Sequence, residues 1–469
     1  MLKKVIVFFC LIGFLNAQNN WDLKTCIDYA IKHNIQLRQA QINTEINKNN
    51  LTQSKAGVLP TLNLGAAHTY NFGKTIDRFT NTFANTEVLS QNFYVSSNVV
   101  LFSGLSQYNN IKANEYNYLS TAENVKQQKN DLTLNLVNLY LNVIFTSELT
   151  GIAKNQFNIT KEQLERTQKL VDAGSLSKSS QYDIEAQLAT EQVNLTTAEN
   201  NYQIALLNLT QLMNLDTVNS FNIVKPNIDI EEQPILNTSV QSIYETALKN
   251  QPSIKSSEYA LMSSEKALAT ARGKRSPTIS MNGSLGTGTS GLDKNIDAVN
   301  VVGYEQAPYV TQSGETIYQP KTEVVTSKKP FADQFRDNVN KSVGFTITVP
   351  IFNGLQTQTG VKNAKLSLVN AKFSQDLAKQ NLYKNIAQAY VNAKAALSKY
   401  MANKKNVEAS QLSFQFAEQK FNVGAINTFD YNSAKNRLIT AQSNLLQSKY
   451  EYILRVKVLD FYQGKELTL

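Results

Sequence analysis

Apolar residues recur at helical spacing through Leu23, Ile27, Ala30, Ile31, Leu37, Ala40, Ile42, Ile46 and Leu51, which predicts an amphipathic helix from Asp22 to Val58. Pro60 ends it, because the proline ring cannot continue a helix and pushes Leu59 to extended geometry. The period then changes from 3.6 to 2. Leu62, Leu64, Ala66, His68, Tyr70 and Phe72 share one face, and Thr61, Asn63, Gly65, Ala67, Thr69 and Asn71 the other. Gly73 to Ser90 reads as a polar loop and Gln91 to Phe102 as a second strand, with Phe93, Val95, Val99 and Leu101 on one face. Strands of this length, apolar on one side and polar on the other, suit the wall of a transmembrane barrel.

From Leu105 to Val171 no proline interrupts the chain and Gly151 is the one internal glycine, so a single unbroken helix is predicted over the whole span. At 1.5 Å per residue it would be roughly 100 Å long. Ser103-Gly104 opens it with cap-type residues, Gly174 stops it, and a returning helix follows from Tyr182 to Asn214. Its apolar positions form a narrow stripe among many Asn, Gln, Ser and Thr. That suits a coiled-coil-like wall wetted on both sides better than a thick core.

The series then recurs. A constant shift of 250 positions lays Phe102-Ser103-Gly104-Leu105 on Phe352-Asn353-Gly354-Leu355, Tyr140 on Tyr390, and Gly174 on Gly424. A shift of 217 lays Lys32 on Lys249, Leu51 on Leu268, and Pro60-Thr61 on Pro277-Thr278. The chain therefore reads as a duplication, and the difference between the two shifts is an insertion between Pro277 and Phe352. The second half supplies strands at Thr278 to Gly286 and Ser342 to Phe352, a long helix from Leu355 to Phe421 and a returning helix from Tyr431 to Tyr462. The predicted organisation is a signal peptide at 1–17, a first repeat at 18–215 (helix, β-hairpin, long helix, returning helix), a mid-height linker at 216–239, a second repeat at 240–464 and a tail at 465–469. The first helix, Asp22 to Val58, and the third, Tyr182 to Asn214, together match the long one in length. They are expected end to end beside it, the third meeting the start of the first.

Composition narrows the setting. Met1 to Ala17 carries Lys3 and Lys4, an apolar run from Val5 to Leu15 and a small residue at Ala17, the form of a Sec signal peptide. Cys10 follows Val7-Phe8-Phe9, without the small residue that lipid attachment needs. Cys26 then stands alone, leaves no internal disulfide and reads as a small packed residue. The formal charge of +9 falls to +7 without Lys3 and Lys4 and is dispersed, with no basic stripe interleaved with aromatics, which argues against nucleic-acid binding. After the signal no run of 18 apolar residues occurs, so membrane crossing falls to strands, with Tyr70, Phe72, Phe93, Tyr94, Phe102 and Phe352 as candidates for interfacial girdles.

Motifs for chemistry are weak. Gly286, Gly288 and Gly291 fit G-x-G-x-x-G, yet strand alternation precedes and no helix follows, so they read as a strand end. Gly73-Lys74-Thr75 fails as a P-loop because His68 stands where glycine is required. His33 and His68, the only histidines, lie on different elements, and neither a nucleophile elbow nor paired-cysteine zinc spacing is present. No enzyme, metal site or cofactor is expected. Asp430, six residues after Gly424, and Asp183, nine after Gly174, allow two readings. They are charges favouring the N-terminus of a returning helix, or, in an oligomer with a central pore, rings of like charge facing the lumen.

In order along the chain, Leu59-Pro60-Thr61 and Ser276-Pro277-Thr278 enter strands, Leu101-Phe102-Ser103-Gly104 and Ile351-Phe352-Asn353-Gly354 leave them, and Ala173-Gly174 and Val423-Gly424 close the long helices. This pattern resembles the TolC-like outer-membrane efflux channel family over essentially the whole mature chain. The resemblance implies a mainly α fold with β, in which a long α-helical coiled-coil barrel is continuous with a transmembrane β-barrel. It implies a homotrimer in outer-membrane lipid that docks a periplasmic adaptor (membrane fusion) protein and an inner-membrane pump. It places adaptor docking at Gly174, Ser175, Gly424 and Ala425, helix-to-strand breaks at Pro60 and Pro277, and strand-to-helix turns at Gly104 and Gly354. Arithmetic supports three copies, since four strands cannot close a barrel, eight would fill their interior with side chains and twelve leave a lumen. There are two departures. The family's gate carries two acidic residues three apart, whereas here Asp430 is followed by Ser433, and the stretch from Gly291 to Asn340 is longer than such channels usually have.

The expected function is passive export, as the exit duct of a tripartite efflux or type I secretion system with the energy supplied by the pump. The alternative is a non-conducting periplasmic coiled-coil rod of structural or adhesive role, which the alternating strands argue against. The 291–340 stretch carries Tyr304, Tyr309, Tyr318 and Phe331 with Pro308, Pro320 and Pro330. It is open to two readings, a lid over the barrel mouth or a disordered surface insertion.

Overall fold

The computed structural model describes residues 20–85, 87–215, 221–226 and 234–465. The expected signal peptide, much of the linker and residues 466–469 of the tail lie outside the described residues. The first half runs β1 (Asn20–Trp21), α1 (Leu23–His33), α2 (Ile35–Ala56), β2 (Thr61–Asn71), β3 (Thr75–Asp77), β4 (Thr82–Ala84), β5 (Val88–Phe102), α3 (Ser106–Asp172) and α4 (Lys178–Met213). The second runs β6 (Asn222–Ile223), α5 (Val240–Asn250), α6 (Pro252–Gly273), β7 (Thr278–Ser290), β8 (Lys294–Val310), β9 (Thr316–Lys328), α7 (Phe331–Asp337), β10 (Asn340–Thr348), α8 (Gln356–Asn422) and α9 (Thr428–Tyr462). Two compact units result, one within residues 1–48, 116–262 and 369–469 and the other within 49–115 and 263–368.

The first unit holds most of α3 and α8, which are 67 residues long each. Two cores hold it together. One gathers Leu23, Cys26 and Ala30 of α1, Leu136, Tyr140 and Ile144 of α3 and Leu209 and Met213 of α4; the other gathers Ile243 of α5, Ile254 of α6, Ile386 and Ala393 of α8 and Leu459 of α9. One window of α3 is apolar enough by composition to cross a membrane, but its Leu136, Val137, Leu141 and Val143 are buried in the first core.

The predicted first helix is broken at Asn34, whose backbone is extended at φ −63° and ψ 124°. Its Oδ1 accepts from the Leu37 N–H at 3.0 Å, and its Nδ2 donates to the Leu212 carbonyl at 3.1 Å. Ile35 N–H donates in turn to Asn214 Oδ1. The end of α4 therefore meets the head of α2, and α1 packs alongside α3 and α4. The expected junction at the start of the first helix is corrected, because an asparagine offering its own side chain to the backbone lets the chain restart there. Between α5 and α6 the break falls at Gln251, and Pro252 takes the first helical position, where a missing N–H costs nothing. The returning helices also begin earlier than predicted, at Lys178 and Thr428, because Ser177 and Asn427 cap them.

The second unit contains a four-stranded antiparallel sheet in the order β10-β7-β5-β2. Each repeat thus contributes two strands, as the alternation predicted, with β5 starting three residues earlier and β7 ending four later than expected. β10 stops at Thr348, two residues before Pro350, which has no N–H for a ladder. The 291–340 stretch is not a disordered insertion: β8 and β9 pair into a long antiparallel ribbon, and α7 packs back on β7.

Candidate functional site

The sheet register sorts the strand side chains onto two faces. Leu62, Leu64, Val95, Val99, Met281, Val343, Phe345 and Ile347 lie on one, and Leu64, Phe345 and Ile347 are strongly exposed. Asn63, Asn92, Ser96, Asn98, Asn282, Ser284, Ser342 and Thr346 lie on the other. Cross-strand bonds knit that polar face, with Asn282 Nδ2 donating to Thr346 Oγ1 at 3.0 Å and Ser284 and Ser342 hydroxyls 2.7 Å apart. Charged residues are missing from it along the paired strands. Tyr94 also belongs here and not to a girdle with Phe93, because neighbouring strand residues point to opposite faces. Its ring lies over Gly65, where a Cβ would overlap the ring carbons, so glycine and tyrosine fit as a pair.

The end of the sheet away from Pro277 is tied by a knot that no local motif announces. Ser290 N–H donates to Gln334 Oε1 at 2.8 Å and the Gln334 Nε2 donates back to the Ser290 carbonyl at 3.2 Å. The Ser290 hydroxyl also reaches buried Asp77 at the end of β3. Phe331 and Phe335 of α7 meet the edge of Phe93, on the apolar face, with centroids 6.3 and 5.6 Å away. Phe79 covers Gly288 on the polar face. The G-x-G-x-x-G match dissolves into this packing.

At the sheet's other end, Pro60 follows the last turn of α2 and Pro277 that of α6, each one residue before a strand. Gly104 takes φ +63° and packs on Gly273, with no room for a Cβ beside the Gly273 carbonyl and Ser276. Gly354 takes φ +62°, but nothing lies within 4 Å of its Cβ position.

The long helices end in paired turns of one design. Gly174 N–H donates to the Val171 carbonyl at 2.9 Å and Ser175 N–H to Leu170 at 2.8 Å, while Gly424 N–H donates to Phe421 at 3.0 Å and Ala425 N–H to Lys420 at 2.8 Å. This double closure needs the left-handed glycines, at φ +73° and +75°. All four of these turn residues are exposed. The second turn is stiffer, since buried Tyr431 stacks on Phe421 at 4.7 Å; Gln181 and Val171 hold the matching places in the first. Asp430 lies in the first turn of α9, its N–H bonded to Asn427 Oδ1 at 2.8 Å, so a helix-end role fits it. Asp183 is exposed beyond the first turn of α4, where the helix end exerts little pull.

Farther along the same helices lies a buried polar cluster that no local pattern in the sequence announces. Lys435 of α9 reaches Thr160 of α3, and Glu191 of α4 is buried as well. Tyr140 and Tyr390 occupy equivalent places in the two repeats. Their hydroxyls bind segments between helices, Tyr140 at the Trp21 and Val224 carbonyls and Tyr390 at the Leu236 carbonyl at 2.8 Å. His33 stacks on Tyr29 and His68 bonds Gln91 at 2.9 Å, on separate elements.

Comparison with known proteins gives one answer throughout. The family model described as "Outer membrane efflux protein" matches residues 26–215 and 243–465. Outer membrane efflux protein BepC of Brucella suis biovar 1 is 20% identical over 426 residues, 91% of this chain and 81% of its own. Outer membrane protein TolC of Escherichia coli is 21% identical over 460 residues, 97% and 84% of the two chains. Among solved structures, the Campylobacter jejuni CmeC outer membrane channel superposes with a TM-score of 0.77 at 17% identity, covering 94% of this chain and 85% of that one.

Proposed function

The chain belongs to the outer membrane efflux protein family, and from that premise we propose that it works as a homotrimer, the outer-membrane exit duct of a tripartite efflux or type I secretion system. Three sheets then close one twelve-stranded barrel, its apolar face against lipid and its Ser- and Asn-rich face lining the lumen, while the helices extend into the periplasm. The observation that carries the reading is the sheet itself, apolar on one side and uncharged polar on the other, with β10 and β2 unpaired at its edges. Open edges do not persist in hydrocarbon, where every backbone group needs a partner. Three copies remove all of them at once.

A periplasmic adaptor docks at the exposed turns around Gly174, Ser175, Gly424 and Ala425, and an inner-membrane pump supplies energy and chooses the cargo. The lumen face of the sheet, free of charge, fits passage of hydrated solutes without selecting among them. The experiment is mass analysis in detergent together with conductance in planar bilayers. A conducting trimer is expected, whereas a folded, non-conducting monomer would return the chain to the reading of a periplasmic rod.

A further inference from the structure

The β8–β9 ribbon is two-faced by construction. Plain alternation would scatter its apolar residues, but the register shifts between Ile296 and Ala298 and again between Val301 and Gly303. Each bulge inserts one unpaired residue and turns the strand over by one face. As a result Ile296, Val299, Val301 and Tyr304 share a face, opposite Thr326, Val324, Thr322 and Pro320. The reverse face carries Asn300, Glu305, Lys321 and Glu323. Ile296 and Tyr304 are 68% and 72% exposed, so nothing among the described residues covers the apolar face.

An isolated two-stranded ribbon is only marginally stable in water, and one exposing a row of β-branched and aromatic residues needs a cover. Three features decide what covers it. Between Ile296 and Tyr304 the apolar face has no charge, so this stretch can meet its own copy without repulsion, while Lys294 and Lys328 stand opposite each other on the same face at its base. At 3.3 Å per residue this segment presents about 300 Å². That is well below the ~800 Å² per partner that free chains need to associate. The ribbon is, however, inserted between β7 and β10, and β10 is an edge strand of the sheet. It leaves the sheet at the end remote from Pro277, so an assembled barrel would hold its copies on one rim at millimolar effective concentration.

We infer that the apolar faces of the ribbons of neighbouring copies pack on one another, forming an apolar contact at the outer rim of the barrel. The inference rests on the trimer proposed above. The ribbon is a self-interaction surface, and the bulges at Asp297 and Val302 gather the contact onto one side.

Single cysteines at Val299, Tyr304 and Glu323 in the full-length chain test this. Cys26 does not interfere, since it is buried and its thiol is pushed up to about 12 by that burial. Oxidation of outer membranes, and separately of purified trimers, should give covalent dimers at Val299→Cys and Tyr304→Cys at least tenfold above Glu323→Cys. An intact trimer on native gels with no such excess overturns the inference and leaves the trimer standing. Crosslinking in membranes that disappears on purification also overturns it, assigning the face to another protein. A chain that runs as a monomer on native gels refutes the trimer instead.

Discussion

Lys435 on α9 donates from Nζ to Thr160 Oγ1 on α3 at 3.0 Å, with both side chains buried. Burial pushes the ammonium down to about 8, and the nearby Glu191 carboxylate offsets only part of the cost. In the unfolded chain the proton is held to the ordinary 10.5. Between those values the unfolded state binds more protons, so stability rises with pH, and below about pH 8 the full cost of the buried charge is present. At about 1.4 kcal/mol per pKa unit the rise is at most about 3 kcal/mol. Unfolding in detergent followed by near-UV circular dichroism from pH 7 to 10 should show it, and Lys435→Met should flatten it. An equal slope in the variant would mean that Lys435 is solvated in the assembled protein.

The sheet edges predict a register. Within the chain β5 pairs β7 with Phe93 opposite Thr287 and Val95 opposite Leu285. Carrying the first strand forward by 250 positions and the second back by 217 places Val343 of β10 opposite Tyr70 in β2 of the neighbouring copy, and Phe345 opposite His68. Both pairs fall on the apolar face, as they must. The combined Val343→Cys, Tyr70→Cys chain should therefore oxidise to covalent trimers on denaturing gels, and Val343→Cys with Thr69→Cys, on opposite faces, should not. The same equivalence explains why Gly104 meets Gly273 whereas Gly354 faces open space in one chain. In the proposed trimer, Gly354 would meet the end of α2 in the next copy.

Much of this was readable because the signals are local and repeated. The two long helices announce themselves by unbroken periodicity between Gly104 and Gly174 and again between Gly354 and Gly424, and the strands by period 2 after Pro60 and Pro277. What escaped depends on partners distant in sequence or on a shifted phase. Asn34 looks ordinary within a helix, and only the arrival of Leu212 and Asn214 makes it a break. Bulges at Asp297 and Val302 hide the ribbon from any alternation count. Ser290 and Gln334 find each other 44 residues apart, and Lys435 meets Thr160 at a separation of 275. No window of sequence contains such pairs.

The turns at Gly174 and Gly424 should be intolerant of proline. Both glycines hold φ above +70° and donate their N–H to a helix carbonyl, and proline permits neither. Gly174→Pro or Gly424→Pro should abolish adaptor crosslinking and export while the trimer persists, because the barrel strands lie elsewhere in the chain. Alanine, at a cost of about 1–2 kcal/mol in the left-handed region, should give partial loss. Normal export and crosslinking in both proline variants would move docking away from these turns.

Three copies of Asp430 around a common axis would bring three like charges together at a distance set by the aperture. Screening decays over roughly 8 Å at physiological salt, so they couple strongly only when the ring is nearly closed. Asp430 is exposed, and the Asn427 cap fixes its backbone at the first turn of α9. Asp183 lies farther into α4, and its place in the repeat matches Ser433 and not Asp430. Asp430→Ala should therefore lower cation selectivity and weaken block by divalent cations, with Asp183→Ala producing a smaller change. Reversal potentials and divalent block in planar bilayers at low salt, where screening is least, measure both. If the two variants match the parent, Asp430 serves only the positive end of α9 and the constriction is built from other residues.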